Sequence, residues 1–138
     1  MGVAGSGKST VAAELASQAG AEFRDGDAQH PAANLDKMRR GVPLTDDDRA
    51  PWLEAVGRWL ADGVGPRVTS CSALRESYRD ILRRACPGVV FLYLEVTPDT
   101  ARERLAARTD HFMPASLLAS QFTTLEEPLN EPDVVLVD

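Results

Sequence analysis

The opening residues restrict this chain more than any others: Gly2-Val3-Ala4-Gly5-Ser6-Gly7-Lys8-Ser9 has the spacing G-x-x-x-x-G-K-S, and Thr10 follows. Glycines at both ends and in the middle let successive backbone N–H groups turn inward around a phosphate. A helix that follows adds the positive end of its dipole. In this pattern Lys8 reaches the β- and γ-phosphates as a mobile point charge, and Ser9 offers its hydroxyl to Mg²⁺. Val11, Leu15 and the alanines around them continue with a helical period that Gly20 can stop. The strand that leads into such a loop needs about five or six apolar residues, and only Met1 is available for it.

Length and composition bound the rest. With 138 residues and 43% hydrophobic content, the chain is expected to form one domain, 1–138, with a substantial core. Fifteen basic against 21 acidic residues give a net charge of -6, which argues against a nucleic-acid surface, so local Lys and Arg clusters are read as sites. Cys71 and Cys86 form neither a disulfide framework nor a C-x-x-C pair, which fits a reducing cytosol. No apolar run approaches a membrane span, and the opening has neither a basic nor an apolar leader region. The expectation is a cytoplasmic protein whose partner is neither nucleic acid nor membrane.

Short apolar runs alternate with helical patterns, the signature of βα units on a parallel sheet. A short strand near Ala21-Glu22-Phe23 runs into Asp25-Gly26-Asp27. Pro31 opens a helix carrying Asn34, Lys37 and Met38 that stops at Gly41. Thr45 or Asp48 can cap the next helix, with Pro51 in its first turn and Trp52, Val56, Trp59 and Leu60 on one face. A buried strand is expected at Val68-Thr69-Ser70-Cys71, and then a helix bearing Leu74, Tyr78, Ile81, Leu82 and Ala85. Val89 to Leu94 is apolar without alternation, as a strand covered on both faces should be. Thr97 and Pro98 start a helix through Leu105, and Val134 to Val137 form a last strand.

Phosphoryl transfer needs a phosphate cradle, a metal, an oriented acceptor hydroxyl and positive charge for the transition state. Asp25 and Asp27, one residue apart on what reads as an extended segment, point the same way. Asp25 then suits the metal's water shell, and Asp27 the acceptor hydroxyl as orienting group and proton acceptor. The alternative is an acidic turn capping the helix at Pro31. Arg49, after three acidic residues and before Pro51-Trp52, stands in an unlikely place for a purely decorative charge and is the first choice for the acceptor side, with a solvated helix-start arginine as the alternative. Arg104 and Arg108 stand i, i+4 at a helix end, where both can lean toward one ligand or simply complement the dipole. Cys71 reads as a buried strand-end residue and Ser72 as a helix cap.

Four stretches carry a resemblance: GVAGSGKST at the start, DGDAQHPAANLDKMRRGVPLTDDDRAPWL from Asp25 to Leu53, CSALRESYRDILR from Cys71 to Arg83, and HFMPASLLASQFTTLEEP from His111 to Pro128. Together they are similar to gluconokinase of the small phosphate-loop type, a relative of shikimate kinase and the nucleoside monophosphate kinases, and they cover nearly the whole chain. The resemblance implies ATP- and Mg²⁺-dependent phosphorylation of D-gluconate to 6-phospho-D-gluconate. It implies a three-layer α/β fold with a parallel sheet of order 2-3-1-4-5 and a mobile lid, here without most of the first strand and without the C-terminal helix. It puts His30, Lys37 and Arg75 with Arg49 on the acceptor side, Arg104 beside the base, and Arg108 at the transferring phosphoryl group; His111-Phe112-Met113-Pro114 reads as lid packing. Arg75 stands where the family usually has Lys, which keeps charge but changes hydrogen-bond geometry. A start site assigned too late is the expected reason for the absent first strand. Two alternatives stay open, a shikimate-kinase-like enzyme for another polyol acid and an inactive nucleotide-binding remnant, and so does a homodimer.

Overall fold

The computed structural model describes residues 1–108 and 116–138. Its strands form two parallel pairs. In the first, β1 (Glu22–Asp25) lies beside β2 (Arg67–Ser70), with Glu22 opposite Arg67 and Asp25 opposite Ser70. In the second, β3 (Phe91–Leu94) lies beside β4 (Val134–Val137), with Phe91 opposite Val134 and Leu94 opposite Val137. Helices connect the parallel strands: α1 (Lys8–Ala19), α2 (Ala32–Arg39), α3 (Asp46–Ala61), α4 (Glu76–Ala85), α5 (Pro98–Ala106) and α6 (Ser116–Thr124).

Met1 and Gly2 stand between the two pairs. The Met1 amine donates to the Leu92 carbonyl at 2.5 Å, the Leu94 N–H donates to the Met1 carbonyl at 3.0 Å, and the Gly2 N–H donates to the Ser72 carbonyl at 3.1 Å. The ladders themselves form two separate two-stranded sheets, β1-β2 and β3-β4, and these bonds put Met1 and Gly2 between them, where the expected order has its central strand. Burial pushes the Met1 amine down to about 5. Behind it a cavity of about 320 Å³ separates β2 from β3, lined among others by Val11, Leu15, Val68, Cys71, Leu82 and Leu92. Val11 and Leu15 face this space rather than packed side chains and remain 39% and 38% exposed, whereas Ala12 and Ala16 of the same helix are buried.

Local chemistry explains the helix starts. Thr45 caps α3 and Asp48 returns the bond, a reciprocal box that satisfies two otherwise orphaned donors, and three aspartates in the first turn complement the dipole. Because the helix begins at Asp46, Pro51 falls in its second turn rather than its first. The Asp47 carbonyl, which would have faced the missing N–H, lies in an exposed residue. Thr97 caps α5 and Pro98 is its first residue, as expected. The β3 strand is shorter than its apolar run. Val89 and Val90 stay outside the ladder, and Val90 is 63% exposed.

The core joins Trp52, Leu53 and Val56 of α3 to Tyr78 and Leu82 of α4, Phe91 of β3 and Leu105 of α5. Among the described residues one charged side chain is buried against it. Arg79 is fully buried and donates to the Ala73 carbonyl at 2.8 Å, the Glu126 carbonyl at 3.0 Å and both oxygens of Glu131. Arg83 extends the network to Glu131 and Asp133, whose carboxyls it helps hold below their usual range. This cluster ties the segment before β4 to the turn after β2. There Ala73 adopts φ 46°, a left-handed conformation that L side chains take at a cost of about 1–2 kcal/mol.

Candidate active site

The phosphate loop runs from between the two strand pairs into α1, with Gly7 as the N-cap. Gly5, at φ 81°, passes so close to α5 that a Cβ there would meet the Ala101 carbonyl at 2.6 Å, so the loop can take this path only with glycine. Lys8 donates from Nζ to the Val3 carbonyl at 2.8 Å and curls over its own loop. Burial lowers its pKa, with the Asp27 charge as the main opposing influence.

Ser9 and Asp25 meet directly. The Ser9 hydroxyl donates to Asp25 Oδ2 at 3.0 Å, while Oδ1 accepts from the Asp27 N–H at 3.0 Å and the Ser70 hydroxyl at 2.9 Å. This corrects the expectation of an extended Asp25-Gly26-Asp27 segment. The chain leaves β1 at Asp25 and turns at once into a 3₁₀ turn, Gly26–Gln29, capped by the Asp25 carboxylate. Gly26 has to pass beside β2, where a Cβ would lie 2.0 Å from the Ser70 carbonyl. The two carboxylates are thereby separated: Asp25 faces Ser9, and Asp27 lines a cavity shared with Lys8, His30, Arg49 and Arg108. Burial raises the Asp27 pKa, and Lys8 opposes the shift.

The far wall of this cavity comes from α2, α3 and the loop between them, including Met38, Leu44, Arg49 and Trp52. His30 stacks on Trp52, with ring centroids 3.9 Å apart and planes 18° from parallel, and burial plus the Arg49 charge push it down to about 4. Arg49 donates from one nitrogen to the Leu44 carbonyl at 2.7 Å and to the Tyr78 hydroxyl at 3.0 Å, and its guanidinium lies over the Tyr78 ring. Tyr78 in turn donates to Asp46.

Two expected acceptor-side residues stand elsewhere. Lys37 pairs with Asp48 at 2.7 Å, held by the carboxylate that completes the α3 capping box, and does not line the cavity. Arg75 is exposed at the N-cap of α4, and its backbone carbonyl takes the Tyr78 and Arg79 N–H groups. Ser72 is accordingly no helix cap and lines the cavity instead. Cys71 is buried at the end of β2 as expected, and burial pushes its thiol up to about 12.

On the other side of the phosphate loop lies a second cavity of about 460 Å³, bordered by Thr10, Glu95, Arg104, Arg108 and Val137. Arg104 reaches the Gly5 and Ser6 carbonyls at 3.4 and 3.3 Å. Arg108 lies just beyond the end of α5 and borders both cavities. The His111–Pro114 block lies outside the described residues. Sequence reasoning passed over Gln121 and Ser120 of α6, which also line the first cavity; Gln121 Oε1 accepts the Ala4 N–H at 2.6 Å. The only signal for them was their place in the stretch from His111 to Pro128.

The shikimate kinase family model matches residues 4–129. The chain is 47% identical over 140 residues to a gluconokinase of Gluconobacter oxydans, covering 99% of this chain and 79% of that protein. The chain belongs to the gluconokinase family. Another relative is the thermoresistant gluconokinase of Escherichia coli, 47% identical over 142 residues that span 100% of this chain and 81% of that one. The family likeness extends to structure. A crystal structure of a gluconokinase from Sinorhizobium meliloti superposes with a TM-score of 0.91 at 52% identity, covering 100% of this chain and 79% of its own.

Proposed function

We propose that this protein transfers the γ-phosphoryl group of ATP to D-gluconate, giving 6-phospho-D-gluconate. The observation that carries the reading is a single cavity in which the phosphate-loop lysine, a buried carboxylate of raised pKa, and an arginine with hydrogen-bonding capacity to spare face one another. Likeness to gluconokinases over nearly the whole of this chain and about four fifths of theirs supports the substrate.

The triphosphate lies along the loop from Gly2 to Thr10, with Arg104 beside the nucleotide. Lys8 exchanges its bond to the Val3 carbonyl for phosphate oxygens, a better partner for an ammonium. Asp27 accepts the proton of the attacking gluconate hydroxyl, and its raised pKa makes it a stronger base than an exposed aspartate. Arg49 pairs with the gluconate carboxylate through the edge not engaged by Leu44 and Tyr78, while His30 meets the polyol chain. Arg108, bordering both cavities, offsets charge on the moving phosphoryl group.

Magnesium fits the Ser9 hydroxyl and Asp25 carboxylate, because this cation takes few protein oxygens and keeps several waters, and when bound it neutralises phosphate charge. Cys71 and Cys86 are both free thiols, which fits a reducing, cytoplasmic setting; among the described residues no helix is long and apolar enough to cross a membrane. An ADP-release assay over gluconate, other aldonates, shikimate and nucleoside monophosphates tests the substrate. Gluconate should give the highest kcat/KM; preference for shikimate or a nucleotide would overturn the assignment.

A further inference from the structure

Asn34 stands on α2, one turn after His30, and is 3% exposed. Its amide nitrogen lies 2.9 Å from the Asp48 carbonyl oxygen and 3.2 Å from His30 Nδ1. A backbone carbonyl can only accept, so the carboxamide has to turn its nitrogen toward Asp48. That nitrogen can only donate, so its second hydrogen goes to Nδ1. With Nδ1 accepting, the proton of a neutral imidazole has to sit on Nε2.

The ring around that proton is held firmly. Trp52 stacks on it and is itself anchored by its indole N–H, which donates to the Gly26 carbonyl at 2.8 Å. Burial and the nearby Arg49 charge keep the imidazole uncharged at neutral pH. His30 lines the acceptor cavity, and its Nε2 has no hydrogen-bond partner among the described residues.

We propose that Asn34 is a positioning residue that locks His30 as its Nε2–H tautomer, so that the cavity presents a fixed, neutral donor to one hydroxyl of the polyol. The hydroxyl role rests on the gluconate reading; the tautomer lock does not. A neutral donor suits a hydroxyl oxygen and leaves the substrate carboxylate to Arg49, so the two ends of the acceptor are told apart by charge. A site that offers a buried donor also disfavours an analogue lacking the matching oxygen, because the donor is then left unpaired.

The test begins with the wild-type chain. Long-range ¹H–¹⁵N correlation spectra at pH 7 report the imidazole tautomer, and with only two histidines in the sequence a His30→Gln sample assigns the signals. The expected pattern is a protonated Nε2 and a bare Nδ1 on His30; a proton on Nδ1, or a charged ring, would overturn the proposal whatever the variants do. Asn34→Asp replaces the donor by a carboxylate that attracts a proton to Nδ1. It should abolish the Nε2–H pattern and raise the KM for gluconate about tenfold, the worth of one hydrogen bond, with the KM for ATP changed less than about twofold. Unchanged tautomer and KM in that variant would refute the lock, and a variant that does not fold leaves the wild-type spectrum to decide. Wild-type protein with the expected tautomer but no gluconate turnover would remove the hydroxyl role while the lock stands.

Discussion

Lys8, Asp27 and Arg49 occupy one cavity but serve different stages, so their substitutions should separate in the kinetics. Lys8→Ala should reduce phosphoryl transfer to background in a sample whose circular dichroism is unchanged. Asp27→Asn should lower kcat by about 10²–10⁴ with ATP affinity largely kept, as removal of a general base does. Because burial raises the Asp27 pKa, the acidic limb of the wild-type kcat/KM profile should lie above pH about 4, the ordinary range for aspartate, and Asp27→Asn should lose that limb. Arg49→Ala should raise the KM for gluconate more than that for ATP. His30 is read through stability. Folded, it takes a proton only near pH 4, and unfolded near 6.5, so the unfolded chain holds the extra proton between those values. Stability is therefore lost as pH falls through that window, by about 3 kcal/mol at most, and chemical denaturation of His30→Gln across pH 4 to 6.5 should give a flatter curve.

The Arg79 network governs the element scale, because it joins α4, the turn at Ala73 and the segment leading to β4. Arg79→Met leaves the Glu131 carboxylate with only 13% of its side-chain surface exposed and without its main partner, which should cost about 3–5 kcal/mol by urea denaturation. Glu131→Gln should cost less, since its amide can still accept from the guanidinium. Elements with strong local chemistry were legible in the sequence: the Thr45 and Thr97 caps, the phosphate loop and the apolar run ending in β4. What escaped were side chains whose partners lie far along the chain. Arg79 is bound 47 and 52 residues away at Glu126 and Glu131, and nothing in its own neighbourhood distinguishes it from a solvated arginine. Lys37 shows the same limit from the other side. Two helical turns from His30 places it on a similar face, but Asp48, on the next helix, captures its ammonium. Asp25 and Asp27 were correctly singled out, yet alternation along a strand could not foresee that Gly26 starts a turn.

Across the whole molecule, a chain of net charge -6 has to attract two anions, so its cations must act locally. Lys8, Arg49 and Arg108 border the first cavity, and Arg104 and Arg108 border the second. The KM for gluconate should accordingly rise with added salt, measured between low ionic strength and about 0.15 M, where the screening length falls to about 8 Å. The gap between β2 and β3 also bears on what the protein leaves open to solvent. Its 320 Å³ are lined by apolar side chains such as Val68, Leu82 and Leu92 and are open at the edge where Val11 and Leu15 stay 39% and 38% exposed. A dye that brightens on apolar surface should light up with the fully folded chain at neutral pH, and a bulkier side chain at Ala12, which lines the gap, should dim it.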